Sequence, residues 1–206
     1  IQAESRKVFI IMKIALELMN AMRFFDLHCD TLYKMVDEKQ GIYKNDFHVS
    51  LSKASEYNPY IGCFAVWIPD ELRGKGAFEF FEKCVNKLFA EEKKLKGKFR
   101  ICKTVKDLEN ILIKGEKGVI LTLEGSAALM GDISKVKFLR DIGVKIVTLT
   151  WNGCCEAGDG VGVAHPKGLT QFGRELVSEL EKNDIVIDIS HASEKLFYDV
   201  CQVSSK

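Results

Sequence analysis

The sequence predicts an α/β protein built on a parallel sheet. Short runs rich in Val, Ile and Leu alternate with longer segments whose apolar residues recur about every 3.6 positions. The short runs are almost continuously apolar, which is typical of parallel strands covered on both faces. Two folds fit this alternation, a (β/α)8 barrel and a doubly wound open sheet. No Gly-x-Gly-x-x-Gly motif follows the first strand, which weakens the dinucleotide-binding version of the open sheet.

Five principal strands are predicted, separated by helices. The strands cover residues 24–30, 61–68, 118–125, 144–151 and 185–191. The helices cover residues 31–37, 77–95, 105–114, 133–142, 171–182 and 193–203. Thr104 precedes the third of these helices, and a threonine hydroxyl there can accept a hydrogen bond from the first turn. We therefore predict Thr104 as its N-cap.

Composition excludes several classes of partner. The 206 residues include 30 Lys and Arg against 29 Asp and Glu, so the formal net charge is +1. This balance gives no electrostatic reason to expect a nucleic acid or an anionic membrane surface as a partner. The seven cysteines form an odd set without a Cys-x-x-Cys pair, which favours reduced thiols and a cytoplasmic protein.

The first 22 residues are predicted to form a helical extension, and residues 23–206 are predicted to form the N-terminal part of a barrel. Basic residues precede the apolar run of the extension, as in a signal sequence. However, Lys13 and Glu17 interrupt that run, and no small-residue cleavage pattern follows it. The run is also too short to span a bilayer. We expect an amphipathic helix that packs against the domain and does not insert stably into a membrane.

Potential metal ligands stand at the ends of three predicted strands. His28 and Asp30 are two residues apart, so their side chains point to the same face of a strand. Glu124 ends the third predicted strand and His191 ends the fifth. The carboxyl ends of all barrel strands meet at one rim, where these residues would converge. Imidazole and carboxylate ligands together suit Zn²⁺.

Several segments closely resemble the membrane dipeptidase (renal dipeptidase) family, peptidase family M19, of the amidohydrolase-like hydrolases. They are DLHCDTL (26–32), LTLEGS (121–126), LTWNG (149–153), GLTQFGREL (168–176) and IDISHAS (187–193). The resemblance implies a (β/α)8 barrel that holds two zinc ions. His28 and Asp30 match ligands of the first zinc, Glu124 matches the catalytic carboxylate that bridges both, and His191 matches a ligand of the second.

The resemblance also implies residues that this chain does not show. The family has a further His on the next strand and a proton-transferring Asp on the last strand, and neither can be placed before Lys206. A complete barrel takes about 250 residues. The sequence therefore predicts a barrel truncated after about five strands, and we expect the 206-residue stretch alone to be incomplete for catalysis. The family also tends to form homodimers.

One position departs from the mammalian pattern. Trp151 stands where the mammalian enzymes have a substrate-contacting His. A tryptophan here resembles the variant found in many bacterial relatives. The resemblance makes Trp151 a substrate-binding residue that supplies an apolar wall but not the same hydrogen bond.

Three functions remain open at this point. The first is zinc-dependent hydrolysis of dipeptides by a metal-activated water, including dipeptides with a D-residue at the C-terminal side. The second is a related dizinc enzyme that acts on another amide, lactam or ester. The third is an inactive metal-binding fragment.

Other polar positions are interpreted as structural. Asp26 and Asp188 lie within predicted strands and are expected to be hydrogen-bonding residues. The stretch GDGVG (158–162) resembles a phosphate-binding loop only loosely, because the Lys-Ser/Thr of a P-loop does not follow it. Cys154 and Cys155 are expected to be features of the same loop.

Overall fold

The structure, a computed structural model, describes residues 22–205. Its strands are β1 Met22–Cys29, β2 Tyr57–Trp67, β3 Arg100–Ile101, β4 Lys117–Glu124, β5 Val144–Thr148, β6 Cys154–Cys155, β7 Gly158–Asp159 and β8 Val186–Asp188. Its α-helices are α1 Thr31–Asp37, α2 Gly74–Lys94, α3 Val105–Lys114, α4 Lys135–Ile142, α5 Gln171–Lys182 and α6 Glu194–Val203. Residues 1–21 of the predicted helical extension lie outside the described residues. Its last residue, Met22, is the first residue of β1.

The main sheet is parallel, and its strands follow the order β1-β2-β4-β5-β8. Short β3 pairs with the first part of β4, where Arg100 lies opposite Gly118. The order follows the chain without reversal, as in the wall of a (β/α) barrel, whereas a doubly wound sheet reverses direction at a switch point. The predicted α/β class with a partial barrel is therefore confirmed. β6 and β7 form a separate antiparallel pair after β5.

The five predicted strands and six predicted helices are present, with differences at their ends. Thr104 caps α3 as predicted: its hydroxyl accepts from the Asp107 amide, and the Asp107 carboxylate accepts from the Thr104 amide. β5 and β8 end three residues earlier than predicted, at Thr148 and Asp188. In both cases the chain turns away from the sheet, so the polar residues that follow lie in loops at the rim.

The middle of the sheet is buried by helices and by aromatic and aliphatic side chains. Phe64 of β2, Phe81 of α2 and Leu121 of β4 are fully buried within one large apolar cluster. A smaller cluster lies where α3 packs, and it is formed by Ile61, Cys63, Cys102, Ile111 and Ile120. The seven cysteines are unpaired. Within residues 22–205, no helix has both the length and the apolar character that crossing a bilayer would need.

Candidate metal centre

The strand ends β1, β4 and β8 bring four predicted ligands to one rim. Glu124 is the last residue of β4, the central strand, and its carboxylate lies between two imidazoles. His28 lies within β1, and Asp30 follows that strand at the N-cap of α1. Glu124 is two strands, about 10 Å in a flat sheet, from either edge. His28 of β1 and His191, just beyond β8, both reach its carboxylate.

The distances between potential donor atoms fit a shared cation. His28 Nε2 lies 3.3 Å from Asp30 Oδ1 and 3.4 Å from Glu124 Oε2. His191 Nε2 lies 3.2 Å from Glu124 Oε1. Two atoms that bind one tetrahedral Zn²⁺ at about 2.0–2.1 Å are separated by about 3.3 Å. The residues therefore fit a divalent metal, and the two Glu124 oxygens face different histidines, as a bridging carboxylate requires.

The first three ligands form the closer group. Single donor atoms of His28, Asp30 and Glu124 all lie within 4.8 Å of one another. His191 contacts only Glu124 of this group, at the other carboxylate oxygen. The structure thus separates the four residues into two half-sites that share Glu124.

The electrostatics of the rim favour a cation. Burial raises the pKa of Glu124 above its ordinary value of 4.5, with the nearby charge of Asp30 acting in the same direction and the two histidines opposing it. The hydrogen bond between His28 and Asp30 raises the pKa of His28 and lowers that of Asp30. A buried carboxylate is costly unless positive charge accompanies it. A metal ion bound here would supply that charge.

His191 departs from its predicted position. It was expected to end the fifth strand, but β8 ends at Asp188 and His191 lies in the turn beyond it, with a φ of 63°. Its side chain still reaches the site, because the turn redirects the ring towards Glu124. His191 Nδ1 lies 3.0 Å from Asn152 Oδ1. Sequence reasoning missed Asn152, whose only signal was its place directly after Trp151 at the end of a predicted strand.

Asp188 is closer to the site than the sequence indicated. Its carboxylate accepts hydrogen bonds from the Thr148 hydroxyl at 2.6 Å and from the Ser190 amide at 2.9 Å, as the structural interpretation expects. Burial acts to raise the pKa of Asp188, but these hydrogen bonds and the charge of His28 hold it below 3.8. Asp188 therefore adds a negative charge beside the metal ligands.

Aromatic side chains form one wall of the rim. The Trp151 ring lies 4.9 Å from the Trp67 ring and 6.2 Å from the His191 ring, measured between centroids. Tyr33 of α1 packs edge-on against Trp67 at 4.9 Å. Trp67 ends β2, and sequence reasoning did not single it out. The structure thus places Trp151 beside the predicted ligands, on an apolar surface shared with Trp67.

Comparison with known proteins identifies the family. The profile described as membrane dipeptidase (peptidase family M19) matches residues 12–206. An uncharacterized protein of Acinetobacter calcoaceticus, from the 3′ region of PQQ-III, is 22% identical over 179 residues, which are 76% of this chain and 57% of that protein.

Two solved structures have the same fold. The dipeptidase AC, a metallopeptidase of family M19, superimposes with a TM-score of 0.80 at 24% identity and covers 89% of this chain and 61% of its own. A metallopeptidase from Rhodobacter sphaeroides, liganded with a phosphinate mimic of the dipeptide L-Ala-D-Ala, has a TM-score of 0.80 at 22% identity. The match covers 90% of this chain and 63% of that metallopeptidase. The chain spans about 60% of the length of these relatives. The profile match over nearly the whole sequence shows that this chain belongs to the membrane dipeptidase family, M19.

Proposed function

We propose that the chain carries the zinc-binding rim of a metallodipeptidase. The observation that carries the proposal is the position of Glu124, whose two carboxylate oxygens face His28 of β1 at 3.4 Å and His191, in the turn after β8, at 3.2 Å. One carboxylate between two imidazoles is suited to bridge two cations. The mixed nitrogen and oxygen donors favour zinc over calcium or magnesium, which prefer oxygen ligands alone.

Each residue has a distinct task in this site. Two zinc ions, when bound, would lower the pKa of a shared water and polarise the scissile carbonyl. Glu124 would bridge the two cations, and its negative charge would reduce the repulsion between them. His28 and Asp30 would hold one cation from β1, while His191 would hold the other. The buried position of Glu124 keeps this bridge fixed relative to the sheet.

The substrate that we propose is a dipeptide, including one with a D-residue at its C-terminal side. The resemblance to M19 supports this class, and the Rhodobacter sphaeroides metallopeptidase is liganded with a phosphinate mimic of L-Ala-D-Ala. Trp151 would form an apolar wall against the substrate, since its ring lies beside His191 and packs on Trp67. An indole offers one N–H donor and no acceptor, so this contact would be mainly apolar.

The assembly and the compartment belong to the same proposal. A homodimer follows from the family resemblance, and the molar mass in solution, measured by light scattering, would test it. A cytoplasmic location is consistent with seven unpaired cysteines, four of which are buried. Fractionation of cells that make the protein from its own gene would test the location.

The test of function uses the protein expressed from its natural gene. After metal removal with a chelator, we expect hydrolysis of L-Ala-D-Ala to be lost and then restored by Zn²⁺. Glu124→Gln keeps the size of the side chain but removes its charge, and we expect a loss of at least about 100-fold in kcat/KM. Glu109→Gln, which changes an exposed carboxylate on α3, is the matched control and should leave kcat/KM unchanged.

Two results would count against this function. Hydrolysis that persists without metal, or that Glu124→Gln does not affect, would remove the metal rim from the mechanism. Preference for a lactam, an ester or a longer amide over every dipeptide tested would instead favour a related dizinc hydrolase.

A further inference from the structure

The main chain of His191 is held by the loop that follows β5. His191 has a φ of 63°, which is uncommon for a residue other than glycine. It lies beyond the end of β8, so sheet hydrogen bonds do not fix it. Instead, the Val161 amide donates to the His191 carbonyl at 2.8 Å, and the Ser193 amide donates to the Asp159 carbonyl at 3.1 Å. The loop therefore fixes the main chain at His191 and just after it.

The two ring nitrogens of His191 face different groups. Nδ1 lies 3.0 Å from Asn152 Oδ1, and Nε2 lies 3.2 Å from Glu124 Oε1. A neutral imidazole carries one N–H, and its other nitrogen has the lone pair that binds a metal. An oxygen at Nδ1 accepts a hydrogen bond and so favours the proton on that nitrogen. The Glu124 carboxylate beside Nε2 is also an acceptor, so the lone pair of Nε2 is available to a metal once a cation, and not a proton, lies between Nε2 and Glu124.

The main chain at Asn152 and at the two residues after it is fixed by hydrogen bonds. The Gly162 amide donates to the Asn152 carbonyl at 2.8 Å. The Gly153 amide donates to Asp70 Oδ2 at 2.8 Å, and Arg73 Nη2 donates to the Cys154 carbonyl at 2.9 Å. The amide side chain of Asn152 therefore projects from a held main chain, and removing it leaves these main-chain contacts in place.

The glycines of GDGVG explain why this loop can approach so closely. A Cβ on Gly160 would lie 1.9 Å from the Trp151 carbonyl oxygen, and one on Gly162 would lie 2.9 Å from the Asn152 carbonyl oxygen. Both distances are too short for any other residue without a shift of main chain. The glycines thus pack the loop onto Trp151 and Asn152. Their spacing, which loosely resembled a phosphate-binding loop, is accounted for by this packing.

From these contacts we infer that Asn152 is a positioning residue for His191. Its side-chain oxygen holds His191 as the Nδ1–H tautomer and directs Nε2 at the cation shared with Glu124. This inference rests on the proposed function, because the second contact concerns a ligand of the proposed metal site. Asn152 is neither one of the proposed metal ligands nor part of the aromatic wall, and its role is to orient a ligand. Hydrogen bonds of this kind orient ligand histidines in metal sites and commonly change metal affinity 10–100-fold when removed.

The first measurement is the position of the ring proton of His191 in the zinc-loaded 206-residue protein. The chain has four histidines, so ¹⁵N-histidine spectra recorded above pH about 8.5 are simple, and loss of one signal set in His191→Gln assigns the residue. We expect the Nδ1–H form in the wild type and in Asn152→Asp, whose carboxylate still accepts. We expect a shift to the Nε2–H form in Asn152→Ala. Asn183→Ala, at the far end of α5, is the matched control and should leave the spectrum of His191 unchanged.

The second measurement is zinc affinity, obtained by competition with a chromophoric chelator. The dissociation constant should rise about 10–100-fold in Asn152→Ala and stay within about threefold of wild type in Asn152→Asp and Asn183→Ala. A general loosening of the loop would not be reversed by Asn152→Asp, so rescue by this variant separates positioning from a merely structural effect.

The outcomes distinguish this inference from the proposed function. An Nε2–H tautomer in the wild type, or an unchanged tautomer in Asn152→Ala, overturns the inference even if zinc binds. Absence of zinc binding both by the 206-residue protein and by the protein expressed from its natural gene would overturn the proposed function, whereas zinc binding with an unchanged tautomer in Asn152→Ala would overturn only the inference.

Discussion

The middle strand β4 and the edge strand β1 have similar apolar sequences but very different surroundings. Seven of the eight residues of β4 are buried, whereas in β1 only Cys29 is buried. β1 exposes Met22, Phe24, Phe25 and Leu27, which are residue types that usually lie inside a protein. Local sequence and pairing with β2 are thus enough to form the strand, but its burial depends on neighbours on both sides.

The same contrast divides the candidate metal site. The Glu124 side chain on the middle strand is 7% exposed, while those of His28 and Asp30 on the edge are 47% and 54% exposed. A buried carboxylate has few alternative positions, since surrounding side chains fill the space around it. The Glu124 carboxylate is therefore fixed by the core, whereas His28 and Asp30 at the edge are held by the hydrogen bond between them.

The largest expected difference in stability between β4 and β1 concerns one leucine in each strand. Leu121 in β4 is fully buried and Leu27 in β1 is 71% exposed. Leu121→Ala should lower the free energy of unfolding by about 3 kcal/mol, because it removes buried methyl groups and leaves a cavity. Leu27→Ala, the matched change at the edge, should cost less than about 0.5 kcal/mol. Urea denaturation followed by circular dichroism measures both, and equal losses would show that β1 is covered in solution.

A smaller effect concerns Asp199, at the other edge of the sheet. This buried residue of α6 accepts hydrogen bonds from Lys195 and from the Leu169 amide. The second of these bonds connects α6 to the loop before α5. Asp199→Ala leaves these donors without their partner and should lower the free energy of unfolding by about 2 kcal/mol. Asp141→Ala, which changes an exposed carboxylate of α4, is the control and should cost less than about 0.5 kcal/mol.

Asp199 should also make this edge sensitive to acid. The hydrogen bond from Lys195, supported by the Leu169 amide and the charge of Arg174, lowers the pKa of Asp199 below 3.8 in the folded protein. Its stabilisation is therefore complete well above the unfolded-state pKa of 3.8, begins to fall as the pH approaches that value, and is lost as the pH falls through the folded-state pKa. The difference in unfolding free energy between wild type and Asp199→Asn should shrink between pH about 5 and pH about 2.5. A constant difference across that range would contradict this origin.

Much of the fold could be predicted from the sequence because local patterns and parallel pairing act together. The apolar runs correctly predicted which segments form strands, and Thr104 correctly predicted where α3 begins. The end of β8 could not be predicted, because IVIDISH is continuously compatible with a strand while the turn at Ser190 and His191 depends on contacts with Asp159 and Val161. Asn152 was missed for the same reason, since its importance follows from which loops meet at the rim. Asp188 was predicted as a hydrogen-bonding residue, and only its closeness to the site was not foreseen.

The smallest effect tests whether a helix cap near the middle of the sheet contributes to global stability. The Thr104 hydroxyl accepts from the Asp107 amide at 3.1 Å, and α3 then packs Ile111 into the cluster beside β4. Thr104→Ala should lower the free energy of unfolding by about 1 kcal/mol, because it removes the hydroxyl that accepts from a first-turn amide.

Ser134 provides the matched control, because it stands at the N-cap of α4 and its hydroxyl makes no cap hydrogen bond. Ser134→Ala should therefore change the free energy of unfolding by less than about 0.5 kcal/mol. If Ser134→Ala cost as much as Thr104→Ala, the loss would come from the hydroxyl alone and not from the cap. If neither had an effect, the first turn of α3 would fray without disturbing β4, and the stability of the middle strand would depend on apolar packing alone.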